Sequence, residues 1–406
     1  MWKRRQFREP VGPTAVIGFA GDTLLGYPDG RPVDIDLELI RRLGECDCVV
    51  VNQEGPLTTA PPKVTVGAVL AAPPAAAEQL KSLHVTVANV ANNHMMDHGA
   101  EGLAETLDTL RRKGIRALGA GATANEAARP LILSFPFGTL AMVSWCVPCP
   151  GASANATSPG ALPLDLPTAV ALIARLRSEG HIVCAQYHGG EEFLLMPWPD
   201  QRRVLIELSR AGAQLTIGHH AHVFQGMQVA GDGLIAYGLG NFYFNLNSQR
   251  VLFGTDVGLF LAVEVDGRGP FAVRHLFARM DRDRRAIRLL AGPEAEAQDR
   301  LFEDLTVAMS SDLAYIRARR YECLMALVAR NVVTPTRYPG RVGRVLRVGM
   351  SVLTHIRKSF TSHHERSVLA AAILALPQVL TGFGRRATWF PRRAPDGPPR
   401  AGPRTE

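Results

Sequence analysis

Short apolar runs in this chain alternate with helical periods, and run after run stops at a cluster of polar residues. The runs are 14–20 (TAVIGFA), 48–51 (CVVV), 85–90 (VTVANV), 132–147, 181–187 (HIVCAQY), 214–217 (QLTI) and 233–237 (GLIAY). Their length and β-branched content predict buried strands. Helical periodicity falls between them, over 34–44, 75–82, 100–113, 165–179 and 200–211. This alternation predicts an α/β fold with helices packed on sheet faces. Just beyond the strands stand Asp22, then Asn52 and Glu54, then Asn92, Asn93 and His94. His188 with Glu191 and Glu192, and His219, His220 and His222, complete the set. Ligand sites of open α/β sheets collect at that edge.

Composition fits this reading and narrows it. At 406 residues, 47% apolar and 20% charged, the chain accommodates one large domain with an appendage, or two domains. The net charge of +8 is unevenly spread. From Tyr315 onward there are 17 Arg and Lys against 4 Asp and Glu, and the first 314 residues are net acidic. The basicity therefore belongs to the tail. No aromatic-interleaved or helix-turn-helix pattern accompanies it, which argues against nucleic acid as a partner. The segment 341–358, "RVGRVLRVGMSVLTHIRK", reads as a helix packed on the core, or one making weak contact with an anionic membrane surface. The basic opening "MWKRRQFREPVGP" has no apolar stretch behind it, and the run Val368–Phe383 is broken by Pro377, Gln378 and Thr381. Both point to a cytoplasmic protein.

The expected organisation is a basic segment at 1–12, a principal domain at 13–282, a helical extension at 283–390 and a disordered Pro/Arg-rich tail at 391–406. Within it, Leu252–Met280 reads as a closing β-hairpin with Asp266-Gly267 near its turn. Glu294–Asp304 reads as an acidic helical linker, and 305–333 as one long helix or two. Six cysteines are too few for a disulfide scaffold. The pairs Cys46/Cys48 and Cys146/Cys149 lie in or beside apolar strands, so they read as structural thiols rather than a four-thiolate metal site.

Three histidines within four residues at a strand end have little structural purpose, so His219, His220 and His222 point to metal. Added to them are Asp22, a carboxylate able to bridge at Glu54, and an amide oxygen at Asn93. Together they amount to a dinuclear divalent-metal site.

As a set, "GDTLLG" (21–26), "NQEGPLT" (52–58), "ANNHMMDHG" (91–99), "HGGEEF" (188–193) with Pro197 and Gln201, "GHHAHV" (218–223) and "YGLGNFYF" (237–244) resemble the CapA family. These are the poly-γ-glutamate capsule biosynthesis proteins. The resemblance implies a calcineurin-like metallophosphoesterase sandwich, two central β-sheets flanked by helices, here with a helical, basic C-terminal extension. It implies two divalent ions, with Mn, Fe or Zn suited to the ligand types. Asp22 would bind one ion, Glu54 would bridge, and Asn93 would give its side-chain oxygen to the second. His188 is placed as the lone strand-end ligand, His220 and His222 as the closing pair, and His94 as the catalytic histidine. Asn52, Glu192, His219 and Asn241 are placed as substrate contacts, with Asn52 alternatively behind the ligands. The sequence departs from the pattern at Leu24, Gly189, Phe193, Ala221 and Gly238, and none of these removes an expected ligand.

The implied function is phosphoester or amide hydrolysis in the biosynthesis of a capsule polymer of the poly-γ-glutamate type. The implied partners are an anionic polymer or a phosphorylated or γ-glutamyl substrate, and polymer synthetase subunits. A non-catalytic, polymer-binding accessory subunit on the same fold is the alternative.

Overall fold

The structure, a computed structural model, describes residues 2–320 apart from 66 and 251, together with residue 322. It divides into two compact units, Met1–Tyr315 and Ile316–Glu406. The first unit is the α/β fold that the alternation predicts, arranged as the sandwich that the resemblance implies. Its larger sheet runs Asp34–Ile35, Ala286–Leu289, Gly269–Asp281, Val257–Asp266, Ala15–Thr23, Cys48–Gln53, Val85–Asn89, Arg116–Leu118. Lys3–Gln6 joins it beside Gly269–Asp281, and Asn241–Tyr243 joins it beside Ala15–Thr23. The second sheet has six strands, in the order Met227–Ala230, Gly233–Ala236, Leu215–His219, Ile182–His188, Gly138–Cys146, Leu131–Phe135. Helices Ala76–Ser82 and Gly99–Arg112 bury Ala76, Ala77, Leu80, Leu103 and Leu110 in the core of the first sheet. Helices Leu166–Ser178 and Pro199–Arg210 pack on the second.

Parallel pairing explains why the polar residues converge. In the first sheet the register sets Asp22 opposite Asn52 and Asn52 opposite Asn89. Asn241 pairs with Asp22 on its other side. That approach is possible because residue 21 is glycine: a Cβ there would lie 1.8 Å from the Gly240 carbonyl oxygen. In the second sheet the register sets His188 between Cys146 and His219. Side chains that the sequence scatters from Asp22 to Asn241 are thereby level with one another.

Three sequence expectations change, and one open alternative is narrowed. The apolar run at 132–147 is two antiparallel strands, Leu131–Phe135 and Gly138–Cys146, because Pro136-Phe137 forms a turn inside it. The basic N-terminal residues Lys3–Gln6 form a strand, and Arg8 locks this segment down through a paired contact with the buried Asp266 carboxylate, at 2.6 and 2.7 Å. The acidic helix, observed as Gly292–Ala308, is no linker: Leu301, Phe302 and Leu305 are buried, and Phe302 meets Phe224, His275 and Phe277. Helix resumes at 312 after a break at 309–311, so the region read as one helix or two begins as two. The amphipathic segment 341–358 and the tail lie outside the described residues.

Among the described residues no helix is long and apolar enough to cross a membrane. Of the four cysteines in the two pairs, Cys48 and Cys146 are buried and all four are free thiols, and no metal-ligand cluster among the described residues includes one.

Candidate metal centre

Six side chains that the sequence singles out meet where the carboxyl ends of the two sheets face each other. Asp22, Glu54 and His222 form one group of three potential ligands, and Glu54, His188 and His220 form another. Within each group the ligand atoms all lie within 4.8 Å of one another. Glu54 belongs to both. Asp22 Oδ2 is 3.1 Å from His222 Nδ1. Glu54 Oε1 is 3.6 Å from His222 Nε2 and 3.8 Å from His188 Nε2. His188 Nε2 is in turn 2.9 Å from Asn93 Oδ1 and 3.1 Å from His220 Nδ1.

The local backbone is unusual at this point. The strand ends at His219, and His220 and His222 both adopt left-handed conformations with φ of 86° and 56°. The alternation that would put them on one face of an extended strand is therefore absent. A strained turn brings both rings into the site instead, and strain of this kind is retained where geometry is functional. Phe193, also left-handed at φ 63°, donates its N–H to the Ala221 carbonyl and stacks on His222.

Burial sets the electrostatics. Glu54 is held well above the ordinary carboxyl range, first by burial and then by the charge of Asp22. Burial also acts against ionised Asp22, yet the hydrogen bond and charge of His222 outweigh it and hold this carboxylate low. His222 is raised to about 10: burial opposes its charge, and Glu54 and Asp22 overcome that opposition. His188 is driven well below the usual imidazole range by burial and then by His220. His219 and His220 are both pushed down to about 4, chiefly by burial. The three depressed histidines are neutral at neutral pH, the form in which imidazole binds metal.

These residues fit a divalent cation. Both oxygens of Glu54 are buried and accept no hydrogen bond from any described residue. Such a carboxylate is costly to bury alone. Neutral imidazoles, carboxylates and an amide oxygen supply the donor set such an ion takes.

His94 stands apart from both groups. Its Nδ1 is 2.9 Å from Asp97 Oδ2, an oxygen that also accepts the Leu70 N–H at 2.8 Å. Asp97 therefore accepts the hydrogen on His94 Nδ1 and leaves Nε2 as the nitrogen available for chemistry. Glu192, part-buried, bears electrostatically on Glu54 and His222 and occupies the rim beside Phe193.

Three residues expected as substrate contacts are hydrogen-bonded within the interior, Asn52 in its alternative place behind the candidate ligands. Asn52 is fully buried, donating to Asp22 Oδ1 at 2.8 Å and facing His188 Nδ1 at 3.2 Å, while its oxygen accepts from Asn89. Asn241 is fully buried with every amide position engaged, between His222, Gln249 and the Thr255 carbonyl. His219 is buried against Gln186 at 3.2 Å. None of the three faces solvent; they stand behind the ligands. A polar residue at a strand end announces the edge of the sheet, but not which side of the site it occupies.

Sequence reasoning missed Asn89, Ser144 and Asp97. Asn89 accepts from the Ala91 N–H and from Ser144 Oγ, which fixes its amide and through it Asn52. Asn92, read as a turn residue, is buried and holds the 53–55 loop through Gln53 O and Gly55 N.

Residues 18–246 match the model of a family described as bacterial capsule synthesis protein PGA_cap. The chain belongs to that family. It is 34% identical over 173 residues to "PGA biosynthesis protein CapA" of Bacillus subtilis (strain 168), covering 42% of this chain and 46% of that protein. It is 30% identical over 178 residues to "Capsule biosynthesis protein CapA" of Bacillus anthracis, covering 42% and 43%. The chain thus spans less than half the length of the curated relatives it matches. Similar solved structures include NAD nucleotidase of Haemophilus influenzae, with TM-score 0.41 and 12% identity over 71% of this chain and 56% of that one. A 5'-nucleotidase precursor of Thermus thermophilus gives 0.41 and 13% over 77% and 59%. The matched region contains every expected ligand, from Asp22 to His222.

Proposed function

We propose that this chain is a metal-dependent hydrolase of capsule-polymer biosynthesis, acting on a phosphoester or γ-glutamyl amide bond at a two-metal centre. The observation that carries the reading is Glu54: a buried carboxylate whose two oxygens accept no hydrogen bond from the described residues, shared by two triads of candidate ligand side chains. Asp22, Glu54 and His222 would hold one ion; Glu54, Asn93, His188 and His220 would hold the other. Divalent ions bound there supply Lewis acidity toward water and toward the oxygen of the bond being cleaved. The chain's own residues do the rest. His94 Nε2 gives or takes the proton of the reacting group, held in place through Nδ1 by Asp97. Part-buried Phe193 and core residue Phe244 both pack on the His222 ring and limit water around it. Glu192 at the rim meets the substrate.

The family's place in capsule synthesis and the ligand chemistry together favour an anionic polymer or its phosphorylated or γ-glutamyl precursor as substrate, with synthetase subunits as partners. The test pairs metal analysis with hydrolysis of a chromogenic phosphodiester and of a γ-glutamyl amide. Bound divalent metal with turnover that His94→Ala abolishes supports the reading. Full metal loading with no hydrolysis of either substrate overturns the hydrolase and leaves a polymer-binding accessory subunit.

A further inference from the structure

Asn241 sits where it determines which nitrogen of His222 is offered to a ligand. Its Nδ2 donates to the Thr255 carbonyl at 2.9 Å and to Gln249 Oε1 at 2.8 Å. A backbone carbonyl only accepts, so the orientation of this amide is not ambiguous. Arg282, itself nearly buried, donates to the same carbonyl at 2.8 Å and to Thr255 Oγ1 at 3.1 Å, fixing that anchor. Asn241 Oδ1 therefore faces His222 Nδ1, at 2.9 Å, as an acceptor. The second group near that nitrogen, Asp22 Oδ2, is an acceptor as well. Between two acceptors Nδ1 keeps its hydrogen, so the nitrogen that would give up its proton to a metal is Nε2, which points to Glu54. His188 has no such prop: the group facing its Nδ1 is Asn52 Nδ2, a donor.

We infer that Asn241 is a positioning residue that presents Nε2 of His222 as a metal ligand and makes Asp22–Glu54–His222 the tighter of the two groups. The inference rests on the two-metal reading above. A partner on the far nitrogen of a ligating histidine fixes its orientation and raises its basicity, and losing it typically weakens metal binding roughly 10–100-fold.

The test titrates the full-length, metal-stripped protein with Zn²⁺ by calorimetry, alongside nitrogen-15 spectra of the histidine rings in the zinc-loaded protein. The wild type is expected to show two classes of site and a protected Nδ1–H signal from His222. Asn241→Leu is expected to weaken the tight class roughly 10–100-fold, spare the weaker one and lose that signal, with its circular dichroism unchanged. Asn241→Asp, which keeps an acceptor toward Nδ1, is expected to retain the signal and most of the affinity. Wild-type affinities in Asn241→Leu, or equal weakening of both classes, would overturn the inference while leaving the metal centre in place. A wild type that binds no zinc would overturn both.

Discussion

Glu54 shows how much of this molecule's chemistry rests on a single unfavourable residue. Its carboxyl value is raised in the folded chain, so its ionisation opposes folding. Its contribution to the stability of the metal-free protein therefore falls as pH rises above the ordinary glutamate value of about 4.3, opposite in sign to the contributions of His188, His219 and His220 below about 6.5. Glu54→Gln should lack that slope and stabilise the metal-free protein by roughly 1 kcal/mol at neutral pH, measured by urea unfolding. Gly21 makes the opposite case. Gly21→Ala would force a methyl group into the Gly240 carbonyl, and a loss of roughly 3 kcal/mol is expected, read as a lower denaturant midpoint. The same residues show what the sequence discloses. Asp22, Glu54, His188, His220 and His222 were legible as candidate ligands because their side-chain chemistry and strand-end positions coincide. Asn52, His219 and Asn241 share those positions, yet they lie behind the metal groups. Only tertiary packing separates the two layers.

At the scale of elements, expectation and structure part where an apolar run was read through a turn or where charge disguised packing. Pro136 and Gly138 mark a turn inside the mostly apolar stretch 132–147, and reading it as a single run passed over them. The helix Gly292–Ala308 carries five Asp and Glu, which suggests a solvated linker, but the face bearing Leu301, Phe302 and Leu305 is buried. Phe302→Ala should cost about 3–5 kcal/mol of global stability, where a linker residue would cost almost nothing. The N-terminal strand is held by a different device. Burial raises the Asp266 carboxyl, but the Arg8 fork and the N–H groups of Val11 and Arg268 outweigh it and bring the group down to about 2. Its contribution to stability is therefore complete above about pH 4 and is lost as pH falls through about 2. Acid unfolding followed by tryptophan fluorescence should show this loss, and Asp266→Asn should flatten it.

Across the whole molecule, the two sheets supply what neither could alone. One brings Asp22 and the Glu54 loop to its edge, the other brings His188 and the turn after His219, and the parallel register levels them. The alternating pattern made the parallel strands at the site legible, since the carboxyl ends of such strands collect ligands, and the resemblance supplied the two-sheet arrangement. The left-handed turn at His220 and His222 was not legible, because nothing in "GHHAHV" marks those backbone angles on non-glycine residues. The proposed two-metal centre requires Glu54 to serve two ions at once. Its most direct test is the divalent-metal content of the purified full-length chain, by mass spectrometry of the elements, for the wild type and for Glu54→Ala. Two equivalents in the wild type, falling to one or fewer in the variant, is the predicted result. An unliganded wild type, or two equivalents in both proteins, would contradict it.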